Sequence, residues 1–301
     1  TNEMVVEPSY FIEGRGKKFE NALNDIYNKS TKHIYLSHMN AIVLSDEIVE
    51  DKMIDLYDYF LRNTDIRKDS YFIISKNTQD LLSFKTEDKT SIGESIKKII
   101  EYNEKENAKF KTSKFSTILN CYLNDKNYLL GEISIEKNMI TTSEVYLIHN
   151  DKLTQKLDQN AVLLANLLDS TTSSFIITLD NSYEVYRYKL GKKVSKNKIE
   201  ISVDAEVRFL NVLKEDVNNK KDLESLEQKL NNYLTRYFEN SIKYSKNIDY
   251  DLYNFNYLYY LYEPDLKEND SWKNLEYDVL VNTTINEKGL LIGTMGDTYE
   301  E

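Results

Sequence analysis

The sequence is poor in the residues that build disulfides and metal sites, because it holds one cysteine, Cys121, and three histidines. A single cysteine excludes an intrachain disulfide, a Cys₄ zinc site and a Cys₂His₂ zinc site. His33 and His38 lie on opposite faces of a strand, or about 140° apart on a helix, and neither geometry suits one ion. The sequence therefore predicts no metal site.

Long apolar runs and catalytic motifs are missing as well. No run of about 18 apolar residues occurs, so we predict no membrane-spanning helix. None of G-x-S-x-G, H-E-x-x-H, G-x-x-x-x-G-K-[ST] and G-x-G-x-x-G is present. The two glycines of "EGRGKKFE" precede a helix as in a phosphate loop, but the spacing and the Ser/Thr are lacking, so a turn is predicted. We expect no catalytic residue and no cofactor.

The residues that are present predict a folded and acidic protein. Hydrophobic residues make up 41% and charged residues 30% of the 301 residues, which is typical of a chain with a packed core. The formal net charge of −11 argues against nucleic acid and against electrostatic docking on anionic lipid, since both are themselves negative.

Apolar periodicity predicts helices and buried strands in alternation over the first hundred residues. The stretch 17–30 has a helical stripe, "AIVL" at 41–44 is typical of a strand covered on both faces, and a second helix follows it. "SYFIIS" at 70–75 is another buried strand, so a parallel pairing through a crossover is expected. The polar stretch 102–114 is interpreted as a linker.

The later chain predicts more strands. "STILNCYL" is interpreted as a strand with Cys121 facing inward, and "SEVYLIHNDKLTQKL" as a hairpin that turns at Asn150-Asp151. Residues 199–209 and 277–285 alternate without a break, with a long helix between them. We predict an α+β fold of three mixed α/β domains, each a small sheet packed with helices, the last with long antiparallel strands and a long helix. The predicted domain bounds are 1–108, 109–180 and 181–301.

Several residues have both a structural and a functional interpretation. His38 precedes a buried strand and is expected to be a scaffold residue rather than a general base, with residues 33–48 holding an interior sheet together. Arg62 ends a helix, where a cation meets unpaired carbonyls, and together with Arg67 it frames a loop; the alternative is a carboxylate clamp. Substitution of His38 or Arg62 is expected to lower the folded fraction. Trp272 is expected to anchor its loop on the last sheet, and the tyrosines of "NFNYLYYLYE" to serve both core and partner contacts.

Together these motifs resemble the Ger(x)C family, the lipoprotein C subunits of spore germinant receptors. The family pattern has Tyr-Leu-x-His before an apolar strand, then a helix ending in Phe-Leu-Arg-(Asn/Asp), then an Ile-Arg pair. The closing stretch "SWKNLEYDVLVNTTINEKGLL" also fits, and the resemblance covers residues 10–292. The matching residues that carry it, all read as structural, are Tyr35, Leu36, His38, Arg62, Arg67, Trp272 and Gly289.

The chain departs from the family pattern in two places. Mature family members begin at a lipid-modified cysteine, which this chain lacks, and an amino-terminal part of the first domain is expected to be missing. In the middle domain, Gln155 stands where relatives carry a glycine before a Leu-Asp pair, here Leu157 and Asp158.

The resemblance implies a receptor subunit without enzymatic activity. It would be tethered by acyl chains to the outer face of the spore inner membrane, with the anchor on a segment absent from this chain. Its implied partners are membrane-embedded A-type and B-type receptor subunits. Two other hypotheses stay open: a soluble small-ligand-binding module, and a hydrolase with an acid pair in an interdomain cleft.

Overall fold

A computed structural model describes residues 10–86, 90–210, 220–262 and 271–287. The described chain divides into two compact units. The first contains the described residues from 10 to 101 together with Phe110–Leu157, and the second contains Tyr102–Lys109 and the described residues from Asp158 onward. The mixed α/β architecture is confirmed, whereas the three-domain division at 108 and 180 stays a prediction.

The first unit is built on a five-stranded sheet of order β1-β2-β3-β4-β5. The first three strands are mutually parallel, as expected for 41–44 and 71–74, and the last three are antiparallel with a turn at Asn150-Asp151, as predicted. The strands are β1 (Ala41–Leu44), β2 (Tyr71–Ile74), β3 (Tyr128–Glu136), β4 (Met139–His149) and β5 (Lys152–Lys156).

Helices pack against this sheet and against one another through apolar faces. In α3 the buried residues follow the helical period, and the opposite face carries the acids. The helices are α1 (Phe19–Lys29), α2 (Asp46–Asp51), α3 (Met53–Arg62), α4 (Thr78–Ser83), α5 (Ile92–Tyr102) and α6 (Phe115–Leu123), with a 3₁₀ turn at Leu36–His38 and a π turn at Asn103–Asn107.

The second unit is built on a four-stranded sheet of order β6-β7-β8-β9. The two alternating segments, 199–209 and 277–285, form β8 and β9 as predicted, but they pair in parallel, since α8 lies between them in the chain. The long antiparallel pairing of the predicted fold is made by β8 with β7, a strand that the sequence analysis did not predict. Along β8 every second residue is buried or nearly so, as the alternation predicts. The elements are α7 (Gln159–Leu168), β6 (Phe175–Thr178), β7 (Ser182–Ser195), β8 (Lys198–Phe209), α8 (Lys220–Asn247), α9 (Phe255–Tyr262), α10 (Ser271–Asn274) and β9 (Glu276–Glu287).

The predicted strand around Cys121 is wrong, because Phe115–Leu123 forms the helix α6. Phe115, Ile118 and Leu119 are buried at helical spacing, whereas Leu123, which a strand would have turned inward with Cys121, is 77% exposed. This segment is short and mostly apolar, so it fits the strand period of two residues as well as the helical period. The helix forms because it places Phe115, Ile118 and Leu119 together in the core. Cys121 is nevertheless buried, as a small apolar core residue is expected to be.

The predicted polar linker is also different in the structure, because its second half is buried in the first sheet. The Thr112 hydroxyl donates to the Phe72 carbonyl and accepts from the Gly131 N–H at 3.0 Å, so it lies between β2 and β3. The Phe72 N–H donates to Ser113 O at 3.0 Å. A polar side chain is stable here because strand backbone groups satisfy its hydrogen bonds.

Gly131 allows this segment to reach the sheet. A Cβ built on Gly131 would lie 2.0 Å from Cζ of Phe110, whose side chain is buried. The ring therefore occupies the space that any other residue at 131 would need.

We predict that Gly131→Ala lowers the free energy of unfolding by about 1–3 kcal/mol, because overpacking displaces the Phe110 ring. Chemical denaturation measures the loss. Gly93→Ala is the matched control, since a Cβ there meets Asn40 Cβ at an ordinary 3.6 Å. Gly131→Ala with the stability of Gly93→Ala would contradict this packing.

Candidate functional site

The first group of motif residues lies at the surface before β1. Leu36 packs partly into the first core, whereas Tyr35 is 63% exposed and His38 is exposed in the 3₁₀ turn. The Tyr35 ring stacks on His38 at 5.9 Å and meets His33 edge-on at 4.4 Å. Of residues 33–48, only Ala41–Leu44 belong to the sheet, because both histidines lie in solvent before it and α2 begins at Asp46. Only Leu44 of this strand is buried, so the expected cover on both faces is incomplete.

The two arginines are paired with acids of their own loop and helix. Arg62 Nε donates to Asp58 Oδ1 at 2.8 Å, one helical turn back, and both side chains are more than half exposed. Arg67 makes a two-pronged contact with Asp69, with Nη2 at 2.7 Å from Oδ2, and lowers the pKa of that carboxyl. Both guanidinium groups are thus engaged locally, which favours the structural interpretation over an empty carboxylate clamp.

The remaining motif residues lie in or near the second unit's last strand. Trp272 is 2% exposed within that unit's core, and its carbonyl accepts the Tyr277 hydroxyl at 2.6 Å. Its anchoring of the preceding loop stays a prediction, because residues 263–270 lie outside the described residues. Gly289 lies outside the described residues. In α9, Phe255 and Tyr259 are buried while Tyr260 and Tyr262 are about half exposed, so this helix has a core face and a free face.

The "EGRG" segment is a turn packed on α1. A Cβ on Gly14 would lie 2.1 Å from Ala22 O, so the backbone directly abuts the helix. The Arg15 N–H, one of the groups that a phosphate would need, donates to Asp25 Oδ2 at 2.8 Å. A carboxylate of the chain itself therefore occupies the position that a phosphate would take.

Three carboxylates that the sequence analysis did not single out are buried or half-buried in the structure, the environment in which acid–base groups occur. The first, Glu132, accepts the Tyr146 hydroxyl at 2.9 Å and pairs with Lys76 at 3.2 Å. The second, Asp151, accepts two phenols, Tyr128 at 3.2 Å and Tyr57 at 3.3 Å. Burial raises the pKa of Asp151, while the two phenol bonds oppose the rise. Each acid is held by donors rather than facing a second carboxylate.

The third acid, Asp251, caps α9. Its carboxylate accepts the N–H groups of Phe255 at 2.9 Å and Asn256 at 2.7 Å. Burial raises the pKa of Asp251 to about 6, although these backbone bonds lower it. A capping carboxylate of this kind closes a helix end, so the position of Asp251 has a structural explanation.

Two wider properties bear on function. In the described part of the chain, no group of three or more His, Cys, Asp or Glu side chains is arranged to hold a metal ion. Within the same residues, no helix combines the length and apolar character needed to cross a membrane.

Comparison with known families decides the identity. A family model described as "Spore germination protein N-terminal domain" matches residues 3–135, and a second, "Spore germination B3/ GerAC like, C-terminal", matches residues 143–289. The chain belongs to the Ger(x)C family. It is accordingly a spore germinant receptor C subunit, as the motif order indicates.

One solved structure supports the fold of this Ger(x)C protein. The crystal structure of the GerBC protein aligns with a TM-score of 0.61 at 14% sequence identity, covering 88% of this chain and 84% of that chain. At this identity the likeness shows the fold alone. The comparison with curated proteins finds no match.

We predict that the pH dependence of stability reports on Asp251. The folded-state pKa of Asp251 lies above the ordinary 3.8. The contribution of this carboxyl to the free energy of unfolding is therefore largest below pH 4 and falls as pH rises toward 6. The loss over that interval is about 1–3 kcal/mol. Asp251→Asn should flatten this decline in urea unfolding between pH 4 and 7.

The matched control is Asp249→Asn, two residues away, whose side chain is 73% exposed in a pair with Lys273. It should leave the pH dependence unchanged. An Asp251→Asn profile parallel to the native one would show that Asp251 titrates as an ordinary carboxyl.

Exposure limits the stability role of two motif residues. The loss of folded protein on substituting His38 or Arg62 stays a prediction. We expect His38→Ala and Arg62→Ala each to lower the free energy of unfolding by no more than about 1 kcal/mol. Thermal unfolding measures both, with Trp272→Ala as the buried comparison. A loss at His38 as large as that at Trp272 would mean that the aromatic turn organises β1.

Proposed function

We propose that this germinant receptor subunit acts without enzymatic activity, through contacts with membrane-embedded A-type and B-type subunits that trigger germination. The observation that carries the proposal is the pair of family matches, 3–135 and 143–289, which together span most of the chain. A function that depends on surface shape needs no cofactor, and the described residues offer no metal cluster.

The state of the buried acids supports this role over the hydrolase alternative. A glycosidase-type or protease-type acid pair requires two carboxyl groups flanking one bond, one with a raised pKa. Glu132, Asp151 and Asp251 are each satisfied by hydroxyl, ammonium or backbone donors of their own neighbourhood. Their hydrogen bonds therefore hold local structure together and offset part of the cost of burying them.

The proposal places the protein on the outer face of the spore inner membrane, attached by a lipid-modified cysteine on a segment that precedes these residues. Cys121 is buried in the first core and is unsuited to acylation. A net charge of −11 disfavours attachment to anionic lipid through charge alone. A covalent lipid anchor supplies the attachment without a basic patch.

Exposed apolar side chains on two helices of the first unit, α3 and α6, are suited to partner contact. Ile54 and Leu61 are 61% and 54% exposed, and they lie two turns apart on α3. At the end of α6, Tyr122 and Leu123 are exposed, and the Tyr122 ring lies 5.8 Å from that of Tyr57 on α3. Apolar residues gathered on a protein's exterior are typical of an interaction surface.

Pull-down from spore membranes tests the proposal. Ile54→Glu with Leu61→Glu should reduce recovery of the A-type and B-type subunits at least about tenfold, because two charges would have to be desolvated in the interface. Ile176→Glu is the matched control, an equally exposed apolar residue on β6 of the second unit. Point variants suit this chain better than deletions, since residues 102–109 belong to the second unit but interrupt the first unit in the chain.

The native protein should recover both subunits. Failure of the native protein to recover either subunit would overturn the receptor role. Equal recovery by the double variant and the native protein would exclude the α3 surface as the contact.

A further inference from the structure

Aromatic and apolar side chains are exposed in two segments of the first unit, one on each side of α1. Tyr10, Phe11 and Ile12 precede α1 and are 67%, 46% and 37% exposed. Tyr35 lies between α1 and β1 and is 63% exposed. Large side chains that remain in contact with water in one neighbourhood mark an interaction surface.

Contacts between the two segments join these side chains. The Lys32 Nζ atom lies 5.4 Å from the centroid of the Tyr10 ring. The next residue in the chain, His33, meets the Tyr35 ring edge-on at 4.4 Å. Residues 10–12 and 32–35 therefore form one continuous surface, the aromatic patch.

The charge around the aromatic patch is opposite in sign to that of the whole chain. Residues 10–38 contain five lysines and arginines and three acids, whereas the complete chain has a net charge of −11. Two of the three acids are paired within the segment, Glu13 with Arg15 at 2.9 Å and Asp25 with Lys29 at 2.6 Å. The patch therefore lies in a neighbourhood with an excess of positive charge.

Lys17 and Lys18 contribute to that excess at the start of α1. Both are exposed, and among the residues that the structure describes neither has an ion-pair partner. Lys18 is the N-cap residue of α1 and makes no side-chain capping bond. Cations at a helix N-terminus meet the positive end of the helix dipole, so helix stability does not account for two lysines there.

We infer that the aromatic patch docks on an anionic bilayer surface, so that the first unit touches the membrane directly. Tyrosine rings are enriched at the level of the lipid headgroups, and Phe11 and Ile12 add apolar area for the acyl boundary. Lys17, Lys18 and Lys32 would meet lipid phosphates, because a lysine stem can lie along apolar surface while its ammonium stays among the headgroups.

The combination of lysine with aromatic rings favours lipid over protein as the occupant. The centres of protein interfaces are depleted of lysine, whereas basic residues beside aromatic and apolar ones are typical of segments that lie on membranes. The rest of this acidic chain is repelled by anionic lipid, so a region of opposite local charge is the one that can approach it. The inference rests on the proposed membrane location and adds the surface that faces the bilayer.

The test is cosedimentation of the unacylated chain with vesicles of phosphatidylcholine that contain about 30% phosphatidylglycerol. We expect half of the protein to bind at about 1–10 mM lipid, because a few cations and rings attract a bilayer only weakly. Binding to vesicles of pure phosphatidylcholine should be at least about tenfold weaker, since the lysines gain little there.

Two double variants test the two parts of the surface. Lys17→Gln with Lys18→Gln should weaken binding to the anionic vesicles about ten- to thirtyfold, because two cations near a charged bilayer are lost. Tyr10→Ser with Phe11→Ser should weaken it at least about tenfold, because the rings no longer leave water. All four side chains are exposed, so both variants should keep the native thermal unfolding transition.

The matched controls lie in the second unit. For the charges, the control is Lys193→Gln with Lys196→Gln, two exposed lysines at the turn from β7 to β8. For the rings, it is Tyr260→Ser with Leu261→Ser, which are 47% and 59% exposed on α9. Both control variants should bind the anionic vesicles as the native chain does.

No binding to the anionic vesicles at about 30 mM lipid would overturn the inference. Equal binding to the two kinds of vesicle would also overturn it. So would unchanged vesicle binding in both patch variants, and a loss of receptor subunits from the pull-down in those variants would then assign the patch to protein contact.

This result is separable from the receptor role, because the vesicles contain no receptor subunit. Failed cosedimentation leaves recovery of the A-type and B-type subunits standing. A failed pull-down likewise leaves vesicle binding standing.

Discussion

The first unit depends on the insertion of one polar segment into its sheet. β2 and β3 are directly paired at only two positions, Ile73 with Gly131 and Ile74 with Glu132. Beyond them, the Thr112 hydroxyl takes the place of strand pairing, receiving from Gly131 and donating to Phe72. Without it, buried backbone groups on both strands would lose their partners at a cost of about 1–3 kcal/mol each. The Thr112 contact therefore joins the parallel strands β1 and β2 to the antiparallel strands β3, β4 and β5.

Much of this architecture can be predicted from the sequence, because long segments with one clear apolar period fold into the element that has that period. The alternation of residues 199–209 predicts β8, and the stripe of 17–30 predicts α1, since each pattern satisfies one period over many residues. Short segments behave differently. Phe115–Leu123 satisfies both periods, and the stretch around Thr112 carries no period at all, so its position depends on backbone partners far away in the chain.

The candidate sites were harder to predict than the fold, again for physical reasons. His38 precedes an apolar strand in the sequence, but the turn at Leu36–His38 places it in solvent, and a turn of three residues leaves almost no sequence signal. Tyr10 and Lys32 lie on either side of α1 in the sequence, and Tyr10 does not stand out in a chain with 24 tyrosines. Only the packing of the Gly14 turn against α1, where the Arg15 N–H donates to Asp25, brings the Tyr10 ring to Lys32.

Buried acids and exposed charges have different roles in this molecule. Its desolvated acids are each matched by donors, as Asp251 is by two backbone N–H groups, because an unmatched buried charge would unfold a marginally stable domain. Charges with unused bonding capacity, such as Lys17, can persist only at the surface, where water substitutes for a partner. Any ligand or subunit that binds must therefore displace water from such exposed groups. Because water must be displaced, a single contact of this kind is weak and reversible. Several contacts made at once bind more tightly, since the first one raises the effective concentration of the others.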